Sequence, residues 1–111
     1  MAGPAIHRGE IWWTFFDISV GGEIRKTRPA IVISNDDANA ILNRVQIVPV
    51  TSRVARIYPS ETLIRIDGRP SKAMADQIAT ADKSRLRDRI GRVTRDEMKA
   101  IEAVIRLQLA L

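Results

Sequence analysis

Gly21-Gly22-Glu23-Ile24-Arg25-Lys26-Thr27-Arg28-Pro29-Ala30-Ile31-Val32-Ile33-Ser34-Asn35-Asp36 is the stretch on which the fold turns. A glycine-rich turn leads into three cationic side chains. Behind them Pro29–Ser34 reads as an apolar strand, and proline at its first position removes no interior ladder bond. The strand ends in a polar turn, Asn35-Asp36-Asp37, rich in residues that bond their own backbone. A flexible cationic loop carried on a rigid strand suits an anionic ligand such as a phosphodiester.

The sequence on either side continues in short strands. Glu10–Phe16 is aromatic and reads as a strand partly buried on both faces. Asn35–Leu42 predicts a turn or short helix. Val45–Val50 predicts a third strand, which Pro49 places near an edge or bulge. Thr51–Pro59 is a polar loop carrying Arg53 and Arg56. Thr62–Ile66 alternates as a half-buried strand does, and Asp67–Ser71 is a turn. Lys72–Thr80 reads as one strand, Asp82–Leu86 as one helical turn, and Asp88–Val93 as a last short strand. Thr94-Arg95-Asp96-Glu97 then matches a capping box, with Thr94 at the N-cap and Glu97 three residues on. Met98, Ile101, Val104 and Ile105 follow on one helical face, broadened by Ala100, Ala103 and Leu107. The pattern predicts a mainly β fold with α: a small, partly open β-barrel closed by one C-terminal helix. It occupies one domain over residues 1–111, with residues 1–7 as a loose start.

The chain has 111 residues, enough for one modest core. Aromatic residues make up only 5%, so that core must rest on Ile, Val, Leu and Ala. The net charge of +5 favours a polyanionic partner: nucleic acid first, an acidic protein second, a membrane surface third. No apolar run is long enough to span a bilayer, and the first residues carry no signal-peptide h-region, which points to the cytoplasm and to no membrane partner. Trp12, Trp13 and the C-terminal helix offer more apolar surface than one small core needs, which predicts a symmetric homodimer.

Chemistry is bounded by what is missing. Without cysteine there is no disulfide, thiolate nucleophile or cysteine zinc site. The single histidine, His7, excludes a two-histidine acid–base pair within one subunit. A metal nuclease needs clustered carboxylates or histidines, and Asp36 and Asp37 read better as turn residues, so neither metal nor cofactor is expected. Arginine and hydroxyl groups remain. RNA supplies its own nucleophile, the 2′-OH beside each phosphodiester. A protein cleaving it must align that oxygen and stabilise charge on the phosphorane. A guanidinium set before a strand can grip the non-bridging oxygens through its planar fork, and a hydroxyl at a strand end can bond the same group. Arg28 and Thr51 fit those descriptions. On pattern alone, Arg28 serves equally as a surface cation, while Thr51 reads more readily as a turn cap.

Several segments together carry a resemblance. Arg8-Gly9-Glu10-Ile11-Trp12, Gly22-Glu23, Arg28–Asp36, Val48-Pro49-Val50-Thr51-Ser52, Asp76-Gln77-Ile78, Asp82–Leu86 and Ile90-Gly91 resemble, in order, the MazF/PemK family of bacterial toxins. The resemblance implies an SH3-like barrel, a homodimer, and a ribosome-independent endoribonuclease acting on single-stranded RNA at short sequences. It implies 2′,3′-cyclic phosphate and 5′-hydroxyl ends, no metal, and a cognate antitoxin that blocks the RNA site. The family's catalytic arginine falls on Arg28 and its catalytic threonine on Thr51. RNA contacts are expected from Glu23, Arg25, Lys26, Ser52, Arg53, Arg56 and Gln77. Where relatives often carry Gly-Ser-Glu in the first loop this chain has Gly22, so a hydroxyl contact is lost there.

Two other readings are open. Plasmid toxins that bind DNA gyrase share the barrel but use a tryptophan near the end of the C-terminal helix. This chain ends Gln108-Leu109-Ala110-Leu111. A non-cleaving module for RNA or antitoxin is the other, and the presence of both Arg28 and Thr51 speaks against it.

Overall fold

The computed structural model describes residues 5–16 and 26–111, with the side chain of Lys26 left aside. Among the described residues seven strands and two α-helices follow in the order β1 (Glu10–Phe16), β2 (Lys26–Val32), α1 (Asp36–Ile41), β3 (Arg44–Thr51), β4 (Glu61–Ile66), β5 (Arg69–Met74), β6 (Ala79–Asp82), β7 (Leu86–Arg92) and α2 (Arg95–Leu109). Antiparallel neighbours run in the order β4-β5-β3-β2-β1-β7, with β6 also on β3. Register shifts between β1 and β7, at Ile11/Trp12 and Trp12/Thr14, curl the sheet towards a partly open barrel.

Alternation along the strands builds a core on each face of the sheet. Ile11, Ile31, Val48, Val50, Ile64 and Ala73 point inward and are closed off by Val93 and by Ile101 of α2. Trp12, Ala30, Val32, Val45, Ile47, Ala81 and Leu86 lie on the outer face with Ile6. Each buried Ile or Val is worth roughly 1.5–3 kcal/mol relative to exposure, so these aliphatic runs dominate the stability. Ile6 is buried and the His7 amide donates to Glu10 Oε1 at 2.8 Å, so residues 5–7 are held rather than loose. The expected tryptophan pair divides. Trp12 is 5% exposed within the monomer core, and Trp13 is 41% exposed.

Local chemistry sets the element ends. Asn35 caps α1 by accepting from the Ala38 amide. The capping box of α2 is complete: Thr94 Oγ1 accepts from the Glu97 amide, and Glu97 Oε1 accepts from the Thr94 amide. Asp67 (φ 51°) and Gly68 (φ 76°) turn the β4–β5 hairpin in the left-handed region, which an Asp-Gly pair tolerates. The apolar face of α2 is narrower than expected, because Ala103 and Leu107 are exposed. No helix among the described residues is long and apolar enough to cross a membrane.

Two proline expectations need correction. The second strand begins at Lys26 rather than Pro29, since pairing with β1 extends from Phe16↔Lys26 to Ile11↔Ile31. The third strand is not at an edge. It pairs with β2 on one side, and on the other with β6 up to Ile47 and with β5 from Val50. Pro49, which lacks an N–H, stands in the gap between those two partners. The same gap breaks the expected Lys72–Thr80 strand. The chain leaves β3 after Met74, makes a 3-10 turn over Ala75–Gln77, and rejoins it at Ala79 as β6.

Candidate RNA-cleaving site

The site follows from register. Arg28 faces Thr14 across β1–β2, and Thr51 faces Lys72 across β3–β5. The β2–β3 pairing ends at Ala30↔Pro49, and strand alternation beyond it puts Arg28 and Thr51 on the same face, each two residues past that last pair. Residues directly opposite in an antiparallel pair place their side chains on the same face. The outer face therefore carries one row of Leu86, Thr14 and Arg28 and a second of Thr51, Lys72 and Leu63. Both adjoin the aliphatic cluster on that face, of which Leu86 is a member.

Thr14 is fully buried, its Oγ1 donating to the Trp12 carbonyl at 3.0 Å. Arg28 is half-buried, and among the described residues its guanidinium has neither an ion-pair nor a hydrogen-bond partner; the ion pairs found involve His7, Arg8, Lys72 and Arg89. Thr51 is also half-buried, and its Oγ1 accepts from the Arg53 amide at 3.3 Å. Its hydroxyl proton therefore remains available for donation. A half-buried cation and a hydroxyl able to donate, carried on one face of the sheet, are groups that can hold a phosphoryl oxygen.

The other expected residues divide. Ser52, Arg53 and Arg56 are exposed on the loop that follows Thr51. Arg56 lies over the Tyr58 ring, 5.8 Å from its centroid. Gln77 is exposed on the 3-10 turn beside the Pro49 gap, and its amide donates to Met74 Sδ at 3.5 Å rather than to either row. Glu23 and Arg25 lie outside the described residues, as does the Lys26 side chain; the Lys26 backbone pairs with Phe16. An open groove of about 250 Å³ adjoins on the same face, lined by Phe16, Ile47, Ala79, Ala81 and Arg85 among others. A larger cavity of about 610 Å³, beside His7 and Asp36, holds none of the candidate residues.

Sequence reasoning missed three residues here. Thr14 was hidden in an aromatic strand, although counting alternation from Trp12 would have put it on the outer face. Lys72 and Glu61 form a buried ion pair, Nζ to Oε1 2.8 Å, behind the Arg53–Arg56 loop. Burial of Glu61 pushes its carboxyl up, but the bonds from Lys72 and the Tyr58 amide outweigh it and hold the group below its ordinary value. No group of three or more His, Asp or Glu side chains among the described residues is placed to hold a metal ion.

Known proteins align with this chain over almost its whole length. The family described as PemK-like, MazF-like toxin of type II toxin–antitoxin system matches residues 7–109. The endoribonuclease MazF9 of Mycobacterium tuberculosis (strain ATCC 25618 / H37Rv) is 37% identical, covering 96% of this chain and 98% of that protein. The endoribonuclease EndoA of Bacillus subtilis (strain 168) is 28% identical, covering 96% of each. Among solved structures, a MazE–MazF complex from Deinococcus radiodurans superposes with a TM-score of 0.84 at 25% identity, covering 98% of this chain and 99% of that one. An endoribonuclease bound to its cognate antitoxin from a Mycobacterial species superposes with a TM-score of 0.81 at 26% identity, covering 96% and 97%. With the match spanning the whole barrel and α2, the chain belongs to the PemK-like, MazF-like toxins of type II toxin–antitoxin systems.

Proposed function

We propose that this chain is a sequence-specific endoribonuclease toxin that cleaves single-stranded RNA without metal, as a homodimer in the cytoplasm, and is neutralised by a cognate antitoxin. Its family and the relatives named endoribonucleases support the general activity. Solved toxins of the fold in complex with antitoxin support the partner. The gyrase reading gains no support from these relatives. One observation supports the chemistry: Arg28, without an ion-pair or hydrogen-bond partner among the described residues, shares the outer face with the half-buried hydroxyl of Thr51.

In this mechanism the Arg28 fork binds the non-bridging oxygens of the scissile phosphate, and Thr51 Oγ1 donates to the same group. The RNA 2′-oxygen attacks phosphorus, forming the cyclic phosphate. The bond to the 5′-oxygen breaks, and that oxygen takes up a proton as the 2′-OH loses one. Negative charge grows on the non-bridging oxygens, so a preplaced guanidinium favours the transition state over the bound substrate. Arg53 and Arg56 would meet flanking phosphates, Ser52 and Gln77 would also bond the RNA, and Glu23, Arg25 and Lys26 would complete the contacts from the first loop.

The test is the purified protein on a mixed RNA pool in EDTA, with the 5′ ends mapped. Cleavage leaving 5′-hydroxyl ends, stopped by a single 2′-deoxy substitution 5′ of the cut, is the expected result. Loss of activity in EDTA, 5′-phosphate products, or cutting at the deoxy position overturns the mechanism.

A further inference from the structure

The buried ion pair between β4 and β5 has no part in holding a phosphate. Lys72 Nζ donates to Glu61 Oε1 at 2.8 Å and to the Arg56 carbonyl at 2.8 Å. The two side chains are only 9% and 7% exposed. Glu61 Oε1 also accepts from the Tyr58 amide at 2.8 Å, and the Tyr58 ring covers Nζ with its centroid 5.4 Å away. Taking two charges out of water is costly, and an apolar pair of similar volume commonly gives equal or greater stability. What an apolar pair cannot supply is a set of directed bonds to one stretch of backbone. All of these bonds converge on Arg56, Tyr58 and Glu61, in or bordering a loop that is otherwise largely exposed. Lys72 also stands directly across from Thr51, where that loop begins.

We infer that Lys72 is a positioning residue for the RNA site: through Glu61 and the Arg56 carbonyl it fixes the Ser52–Ser60 loop at a set distance from Thr51, so that Arg53 and Arg56 meet the phosphates flanking the cut. This role rests on the RNA-cleaving function proposed above. Lys72 acts through the loop backbone and does not reach RNA itself, because its ammonium is already bonded and covered by Tyr58. The clamp is built from a lysine on one strand and a glutamate on its neighbour, so it fixes the loop relative to β5 and hence to Thr51.

The experiment compares the wild-type chain with Lys72→Met/Glu61→Leu, in which both charges are removed together so that neither is left buried alone. Glu61→Gln, which keeps the acceptor, is the second variant should the first not fold. Each is measured for thermal stability, amide exchange at Tyr58, and kcat and KM on an RNA extending several nucleotides beyond the cut. In the double variant, loss of a charge-assisted contact should raise KM about tenfold. The dependence of log KM on log salt should also become shallower by about one contact. The kcat at saturating RNA should change much less, and the Tyr58 amide should exchange faster. Glu61→Gln should give a smaller rise in KM. Unchanged KM and salt slope in a folded variant overturn the positioning role alone, as does a Tyr58 amide unprotected in the wild type. A wild-type chain that leaves RNA intact overturns the proposed activity together with this role, while Tyr58 exchange still reports separately whether the clamp holds the loop.

Discussion

Arg8 and Arg28 stand at opposite ends of the β1–β2 pair, and the protein treats them differently. Around Arg8 the polar groups are committed to one another. Its Nε donates to the Ile33 carbonyl at 3.0 Å, its Nη2 to Glu102 Oε2 at 2.8 Å, and its backbone amide to Asp36 Oδ1 at 2.7 Å. Nearby, buried Glu10 accepts from the His7 amide and the Trp12 indole, and it pairs with Arg89 at 3.2 Å. These bonds tie the chain ahead of β1 to the end of β2, to α1 and to α2. Across from Arg28 stands the buried hydroxyl of Thr14, and on the same face the half-buried Thr51 opens a loop that carries the exposed Arg53 and Arg56. One end of the hairpin uses its charge to join elements; the other leaves its cation without a partner among the described residues. Burial alone does not separate them, since both arginines are half-buried. Their partners do.

The sharpest way to break this contrast is Arg28→Ala. Removing a charged donor to the transition state should lower kcat by roughly 10²–10³. Melting should stay close to wild type, because among the described residues no partner is left unsatisfied. A folded Arg28→Ala chain that still cleaves RNA at the wild-type rate would show that the open end of the hairpin is not the site. Thr51→Ala should follow with a smaller loss, roughly tenfold or less, since a neutral hydrogen bond is weaker than a charged one.

Arg8→Ala should produce the complementary result. Losing a part-exposed ion pair and a charge-assisted bond to the Ile33 carbonyl should cost roughly 1–2 kcal/mol. For a domain of this size each kcal/mol lowers Tm by about 4–8 °C. RNA cleavage below the lowered melting point should keep its wild-type kcat. A loss of kcat without a loss of Tm would place Arg8 with the site and erase the distinction.

Much of this was legible because it is local. The capping box at Thr94, the Asp67-Gly68 turn, the Asn35 cap region and the alternation of Thr62–Ile66 each depend on residues a few positions apart. Arg28 and Thr51 were legible as a cation and a hydroxyl at strand–loop junctions, and the family resemblance pointed to the same two residues. What escaped depends on register between distant strands. Nothing near Lys72 in sequence says that it faces Thr51, or that Glu61 and Arg56 will enclose its ammonium. The break after Met74 lies opposite Pro49 on another strand, so the alanines of 73–81 gave no sign of it. Gln77, expected to contact RNA on the strength of the resemblance, is exposed on the 3-10 turn with its amide turned to Met74.

The smallest effect separates the two regions by pH. In the Arg8 corner, Asp36 is held below its ordinary value of 3.8, first by the bond from the Arg8 amide, with burial opposing and the charges of His7 and Arg92 assisting. Beside the site, Glu61 is held below its ordinary 4.5 by Lys72 and the Tyr58 amide against the effect of burial. A carboxyl whose folded pKa is depressed adds stability that is fully present above its unfolded value and disappears as pH falls through the folded one. Wild-type stability should therefore begin to decline below about pH 4.5 as the unfolded chain takes up protons first at Glu61-type groups, and further below 3.8 at Asp36. Asp36→Asn should flatten only the lower part of that decline, and by little, because Asp36 is exposed and its pairing is screened by solvent. Glu61→Gln should flatten the upper part, and it alone should alter RNA binding at neutral pH. Urea midpoints of the three chains between pH 3 and 6 give the stability curves, and RNA affinity at pH 7 gives the second readout. If Asp36→Asn weakened RNA binding as much as Glu61→Gln, the corner and the site would be one coupled network rather than two regions with separate tasks.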